Sequence, residues 1–139
     1  MDYITDEMLT EAYFKQYKTM QSVAEKHCLN EPDLNVILAL GMTGAVSRPE
    51  QVKRISFTDL SRRLFDFSAN SAVSYAANRL SKSGILTKKI KKDDRRVPEL
   101  SLTDKGEKIY REVVNTYRNS TAEISGLGEL VRPIITYEI

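Results

Sequence analysis

A mainly α-helical fold with a small β component is predicted by three features of this 139-residue chain. Residues 68–83 repeat Val73, Ala76, Ala77 and Leu80 along one side of a helix, the spacing of a 3.6-residue turn. Gly84 stands where that helix must end, in the left-handed conformation a C-cap favours. Directly afterwards, residues 85–102 read as two strands around a tip rich in lysine and arginine, KKIKKDDRR. A helix closed by glycine and followed at once by a basic hairpin is the sequence form of a winged helix-turn-helix.

Thr5, then Asp6 and Glu7, is a helix start: a hydroxyl cap followed by acids where the helix dipole favours them. Leu9, Tyr13, Tyr17, Met20, Ala24 and Cys28 mark a narrow apolar seam on a first helix over 6–29, with Cys28 expected as a buried filler. Asn30, Glu31 and Pro32 close it and open a second helix, proline being tolerated in a first turn. That helix is expected to bury Leu34, Ile37, Leu38 and Met42. Gly41, Gly44, Ser47 and Pro49 read as a loop or a broken helical extension. Ile55, Ser56 and Phe57 form a short strand that completes the wing sheet. Ser56 or Thr58 then caps a helix containing Leu60 and Leu64, Phe65-Asp66-Phe67 makes the turn, and Ser68 caps the recognition helix over 68–83.

The wing is expected over 86–102, with strand one over 85–92, its tip at 93–95 and the return over 97–102. Pro98 fits only if the ladder does not need its missing N–H. Thr103 caps a last helix running to about Ser120, with Ile109, Val113 and Tyr117 along one side. Gly126, Gly128 and Pro133 break up the C-terminal tail. One domain over 1–139 is expected, long enough to bury roughly two-thirds of its unfolded surface. Within it, 55–102 forms the winged lobe, and 6–29 with 103–139 supply helices for dimerisation. Tyr13, Tyr17, Met20, Ile109, Val113, Tyr117, Ile134 and Ile135 are more apolar surface than one small domain is expected to hide.

Charge is uneven along the chain. Between Lys53 and Arg96 stand twelve Lys/Arg against four Asp, a local charge of +8, which leaves −6 for the remainder. Such a layout turns one basic face toward a polyanion. No run of about 18 apolar residues is present, so no membrane span is expected. The acidic start MDYITDEML does not read as a secretory leader. A single cysteine, Cys28, excludes an internal disulfide and fits a reducing cytoplasm. His27 and Cys28 are too few to close a zinc site. With no phosphate loop and no nucleophile–base set, neither a cofactor nor an enzymatic activity is expected.

The outer face of the recognition helix carries the functional signal. Ser71, Tyr75, Asn78 and Lys82 fall opposite the apolar stripe, flanked by Ser74 and Arg79, with Ser68 and Asn70 at the helix start. Hydroxyls, amides, a phenol and cations without a carboxylate suit base edges and phosphates. Asn78 can read adenine, Ser71 and Ser74 several edges, and Tyr75 a thymine methyl or a phosphate. Arg79 is expected to reach the phosphate backbone. No arginine stands at the centre of this face, so shape readout is expected to share in discrimination. Lys88, Lys91, Lys92 and Arg95 add phosphate neutralisation from the wing.

Asp94-Arg95-Arg96, followed by Leu100-Ser101-Leu102-Thr103-Asp104-Lys105-Gly106, resembles the wing signature of the MarR family, D-x-R and then L-x-L-T-x-x-G. Asn78-Arg79-Leu80 with Gly84-Ile85-Leu86 is similar to that family's D-R-L and glycine-hydrophobic helix ending, with Asn in place of Asp. The resemblance covers about residues 56 to 118. The turn between Leu64 and Val73 is longer than the family's commonest form and resembles its SarA-like branch. The resemblance implies a homodimeric, cytoplasmic and nucleoid-associated transcription regulator, a repressor in the leading reading. It implies dimerisation through the terminal helices, double-stranded operator DNA as partner and, as a further partner class, a small-molecule effector. It also implies that Arg96 enters the minor groove while Asp94 fixes its orientation by a charge-assisted hydrogen bond.

Two other readings are open to the same residues. A winged-helix module that binds protein instead of DNA would show an acidic or apolar recognition face, and a replication or recombination protein of a mobile element would carry a further domain.

Overall fold

The computed structural model describes residues 4–48, 50–90 and 97–123. Five helices and three strands follow one another: α1 (Asp6–Lys26), α2 (Glu31–Met42), β1 (Ile55–Ser56), α3 (Phe57–Arg63), α4 (Asn70–Lys82), β2 (Leu86–Lys89), β3 (Glu99–Leu102) and α5 (Asp104–Glu123). They divide into two compact units, one spanning Leu29–Tyr110 and one containing α1 and the later turns of α5. This is the mainly helical, winged arrangement that the apolar spacing and the basic hairpin predict.

In the Leu29–Tyr110 unit the sheet order is β1-β3-β2, antiparallel throughout. Ile55 faces Leu100, and Leu86 faces Leu102. Pro98 lies just outside the ladder, and its carbonyl accepts the Phe57 N–H at 2.9 Å, so its missing donor costs nothing. Ala45 to Ser47 add a fourth edge: the Leu102 N–H donates to the Ala45 carbonyl and the Ser47 N–H to the Leu102 carbonyl, at 2.7 and 2.8 Å. The glycine-rich stretch after α2 is therefore a loop pinned to the sheet.

Helix α2 is the centre of this unit and packs on α3, α4 and β3. Val36, Ile37, Leu40, Leu60, Val73, Leu80, Leu86, Leu100 and Leu102 are all buried. Two expectations for α2 need correction. Leu38 is half-buried and Met42 is exposed, because Met42 occupies the final position of the helix, where the chain turns out toward Gly44. Asn30 caps α2 in a reciprocal box: its Oδ1 accepts from the Asp33 N–H at 2.9 Å, and Asp33 Oδ2 accepts from the Asn30 N–H at 3.0 Å.

The glycine of the L-x-L-T-x-x-G run has a steric cause. A Cβ on Gly106 would sit 2.1 Å from the Ile85 carbonyl oxygen, so only hydrogen lets the first turn of α5 approach the end of α4 so closely. The threonine of the same run ties the two together: Thr103 Oγ1 donates to the Gly84 carbonyl at 2.6 Å and accepts from the Gly106 N–H at 3.2 Å. Gly84 itself has φ of 76°, the left-handed cap expected of it.

In the other unit, Thr5 Oγ1 accepts from the Met8 N–H at 3.1 Å and caps α1 as predicted. Ala12, Val23 and Ala24 are buried, while Leu9, Tyr13, Phe14 and Tyr17 are exposed. Tyr13 stacks on Tyr17, with ring centroids 6.3 Å apart. Lys26 Nζ and His27 Nε2 grip the two oxygens of Glu112 at 2.7 and 2.8 Å. The Lys26 hydrogen bond, and then that of His27, holds the Glu112 carboxyl below the usual carboxylate range. Cys28 is not the buried filler expected of it. Helix α1 stops at Lys26, and Cys28 comes after it at φ of 56° with its thiol exposed, because the seam's period no longer applies once the helix has ended. Ile109 and Val113 are buried within the chain and are unavailable to a partner, whereas Tyr117 is exposed.

Candidate nucleic-acid interface

The candidate site is built from α3, the turn after it, α4 and β2. Ser56 Oγ caps α3 by accepting from the Asp59 N–H at 3.1 Å, settling the choice between Ser56 and Thr58. Leu64 then closes the helix, and its carbonyl accepts the N–H groups of both Phe67 and Ser68, at 2.9 and 2.8 Å. This folds residues 65–67 into the tight turn read from Phe65-Asp66-Phe67.

Ser68 does not cap the recognition helix. The N-cap is Ala69, which has no side-chain acceptor, and α4 runs over Asn70–Lys82 instead of 68–83. Ser68 Oγ instead accepts from Asn35 Nδ2 at 3.1 Å, so a tertiary bond to α2 replaces the local cap. Inside α4 the predicted stripe is correct: Val73, Ala76, Ala77 and Leu80 are all buried, against α2 and β2. Small residues at positions 76 and 77 let the helices approach closely, and the stripe fixes which face points outward.

Asn70, Ser71, Ser74, Tyr75, Asn78, Arg79 and Lys82 are all exposed. No carboxylate interrupts this face along α4. Lys88, in β2, donates from Nζ to Asn78 Oδ1, which ties the base of the wing to the recognition helix. Lys89 is next to it, also exposed, opposite Glu99 in the sheet register. Lys91, Lys92, Asp94, Arg95 and Arg96 lie outside the described residues.

Arg79, expected to reach the phosphate backbone, is paired within the chain. Its Nη2 donates to Asp33 Oδ1 at 2.5 Å, and that carboxylate is only 1% exposed. Asp33 therefore holds the α2 cap with one oxygen and α4 with the other. A buried carboxylate needs such donors to remain charged, and a guanidinium supplies one from its fixed fork. A helix stripe records which side of a helix faces inward; it cannot reveal that a cation on the rim reaches a carboxylate 46 residues earlier.

Phe65 and Phe67 are the residues that sequence reasoning passed over. Both are among the most exposed large apolar residues of the described chain, at 74% and 72%. A signal was present: two phenylalanines flank an aspartate where the chain must turn, so neither belongs to a helical stripe.

The same arrangement of helices and sheet is found in solved structures, several of them of transcriptional regulators. YusO from Bacillus subtilis shares 24% identity, with 94% of this chain and 87% of that chain covered and a TM-score of 0.66. BpsR from Bordetella bronchiseptica, whose DNA binding is regulated by 6-hydroxynicotinic acid, shares 22% identity over 94% of this chain and 92% of its own, with a TM-score of 0.64. A MarR variant from E. coli in complex with operator DNA matches at 12% identity over 94% and 90%, with a TM-score of 0.59. The fold is that of the MarR regulators. No family model and no curated protein matches the chain. In that fold α4 is the second helix of the helix-turn-helix, and β2 and β3 are the stems of the wing. Among the described residues no helix is long and apolar enough to cross a membrane.

Proposed function

We propose that this protein is a sequence-specific DNA-binding transcription regulator, a repressor acting as a homodimer. The observation that carries the reading is the exposed, carboxylate-free outer face of α4, set in a winged-helix unit whose segment from Lys53 to Arg96 has a charge of +8. Asn70, Ser71, Ser74, Tyr75, Asn78 and Lys82 meet the major groove, and Lys88 with Lys91, Lys92 and Arg95 neutralises phosphate. Arg96 enters the minor groove, oriented by Asp94. Arg79 acts chiefly by holding α4 on α2. Exposed Leu9, Tyr13, Phe14 and Tyr17 on α1 support the homodimer, since an apolar face of this kind is normally covered. A small-molecule effector belongs to the same reading, supported by the MarR-fold regulator BpsR, whose DNA binding responds to 6-hydroxynicotinic acid. The site of action is the nucleoid in the cytoplasm, and no catalytic chemistry is assigned.

The test is affinity for duplex DNA as a function of salt. Neutralising about 6–10 phosphates gives a slope of log K against log[salt] of roughly −5 to −9. A flat response refutes the DNA-binding reading and favours a protein-binding winged helix. A sedimentation mass equal to the monomer at micromolar concentration refutes the homodimer.

A further inference from the structure

The three most exposed large apolar side chains among the described residues all lie in one short stretch of the helix-turn-helix: Tyr75 at 77%, Phe65 at 74% and Phe67 at 72%. Single exposed apolar residues are ordinary, but three exposed aromatic rings within eleven residues of a proposed binding unit mark a candidate contact surface. Their setting is cationic. Arg62 and Arg63 close α3, Lys82 closes α4, and Lys88 and Lys89 run along β2; Asp59 and Asp66 are the carboxylates of α3 and the turn. Such a surface favours a polyanion over a second copy of this chain, whose matching face is equally cationic.

The polar groups of this face are partly engaged already. Ser68 accepts from Asn35, Arg79 is paired with Asp33, and Asn78 accepts from Lys88. Asn70, Ser71 and Ser74 remain, with Tyr75 beside them, and none of these four makes a side-chain hydrogen bond to another described residue. No arginine of α4 is left to read guanine in the usual bidentate way. The apolar feature that duplex DNA presents in its major groove is the 5-methyl group of thymine.

We propose that Tyr75 and Phe67 read thymine 5-methyl groups in the major groove, so that sequence preference rests on burying methyls more than on bidentate hydrogen bonds. This deepens the DNA-binding reading above and depends on it. Tyr75 is four residues from Ser71 and three from Asn78, on the outer face of a helix whose N-terminal half meets base edges when it is seated in the groove. Phe67 stands three residues before Asn70, in the turn that leads into that helix, with its backbone N–H held by the Leu64 carbonyl. Phe65, next to Arg62 and Arg63, is left for the sugar–phosphate rim.

The experiment compares binding of the full-length protein to alternating dA·dT and dA·dU duplexes of equal length at fixed salt. Uracil keeps every hydrogen-bonding group of thymine in both grooves and lacks only the methyl. Burying one methyl is worth about fourfold in affinity, and burying two, one against each side chain, roughly fifteenfold per half-site. The expected result is tighter binding to dA·dT by that factor, with the preference falling toward unity in Tyr75→Ala and Phe67→Ser. Both side chains are exposed, so circular dichroism of the variants should match the parent. Equal affinity for the two duplexes overturns the inference while leaving DNA binding intact. A preference that persists in both variants overturns the assignment to these residues. Failure to bind either duplex at low salt refutes the DNA-binding reading, and the methyl readout with it.

Discussion

Replacing Arg79 with alanine separates an anchoring role from a phosphate contact. In the folded chain Arg79 Nη2 lies 2.5 Å from Asp33 Oδ1, with the arginine side chain 48% exposed and the aspartate side chain 1% exposed. Arg79→Ala leaves that carboxylate buried with the Asn30 N–H, at 3.0 Å, as its remaining charge-stabilising donor. Breaking one side of a fully buried pair costs about 3–5 kcal/mol. Here water can reach the arginine side, so the expected loss is about 2–3 kcal/mol, a fall in Tm of roughly 10 °C for a chain of this size. Urea denaturation at fixed protein concentration reads the loss directly, the fixed concentration removing any contribution from dimer dissociation. Pairing Arg79→Ala with Asp33→Ala should cost less than the two single changes added, by about 1–3 kcal/mol, because the double variant buries no unpaired charge. Unchanged stability in Arg79→Ala together with weakened DNA binding would refute this reasoning and return Arg79 to the phosphate backbone.

Other perturbations test other parts of the molecule. Arg96→Ala should weaken operator binding by about 1–3 kcal/mol per half-site in a fluorescence titration and leave Tm unchanged. Asp94→Ala should weaken binding too, although it removes a negative charge near DNA; tighter binding would show that Asp94 does not orient Arg96. Gly106→Ala should destabilise by at least about 1–3 kcal/mol, since its Cβ meets the Ile85 backbone carbonyl at 2.1 Å, and by more than Gly41→Ala, whose Cβ meets a side chain, the Tyr110 ring, at 2.2 Å as its nearest contact. Equal losses on thermal melting would contradict that ranking. Glu112→Gln bears on pH: a carboxyl held below its ordinary value near 4.5 adds stability above that value and loses it as the pH falls through the lower folded one. The parent should therefore exceed the variant by under about 1 kcal/mol at neutral pH, with the difference vanishing once the pH falls below that lower folded value. A difference that persists there would rule out the Lys26–Glu112–His27 cluster as its source.

Local and periodic features were legible in the residues alone. The stripe Val73, Ala76, Ala77 and Leu80 fixed the inner face of α4, and with it the outward direction of Ser71, Ser74, Tyr75 and Asn78, because a helix has one period. Thr5, Asn30 and Gly84 marked helix ends because unpaired backbone groups there demand particular chemistry. The basic hairpin and the L-x-L-T-x-x-G run pointed to the wing, and Gly106 owes its place to the Ile85 carbonyl. Where the polar ends of those side chains go was settled by tertiary contacts instead. Ser68 turns to Asn35, Arg79 reaches the buried Asp33, and Asn78 meets Lys88, each through a partner from another element. Spacing along one helix carries no record of such partners. Cys28 and Met42 obey the same rule: each fits an apolar period, yet each stands at the end of its helix or just beyond it, where that period no longer points inward. Phe65 and Phe67 are exposed because the turn they occupy belongs to no stripe, and only the folded chain shows how far their side chains stand open to solvent.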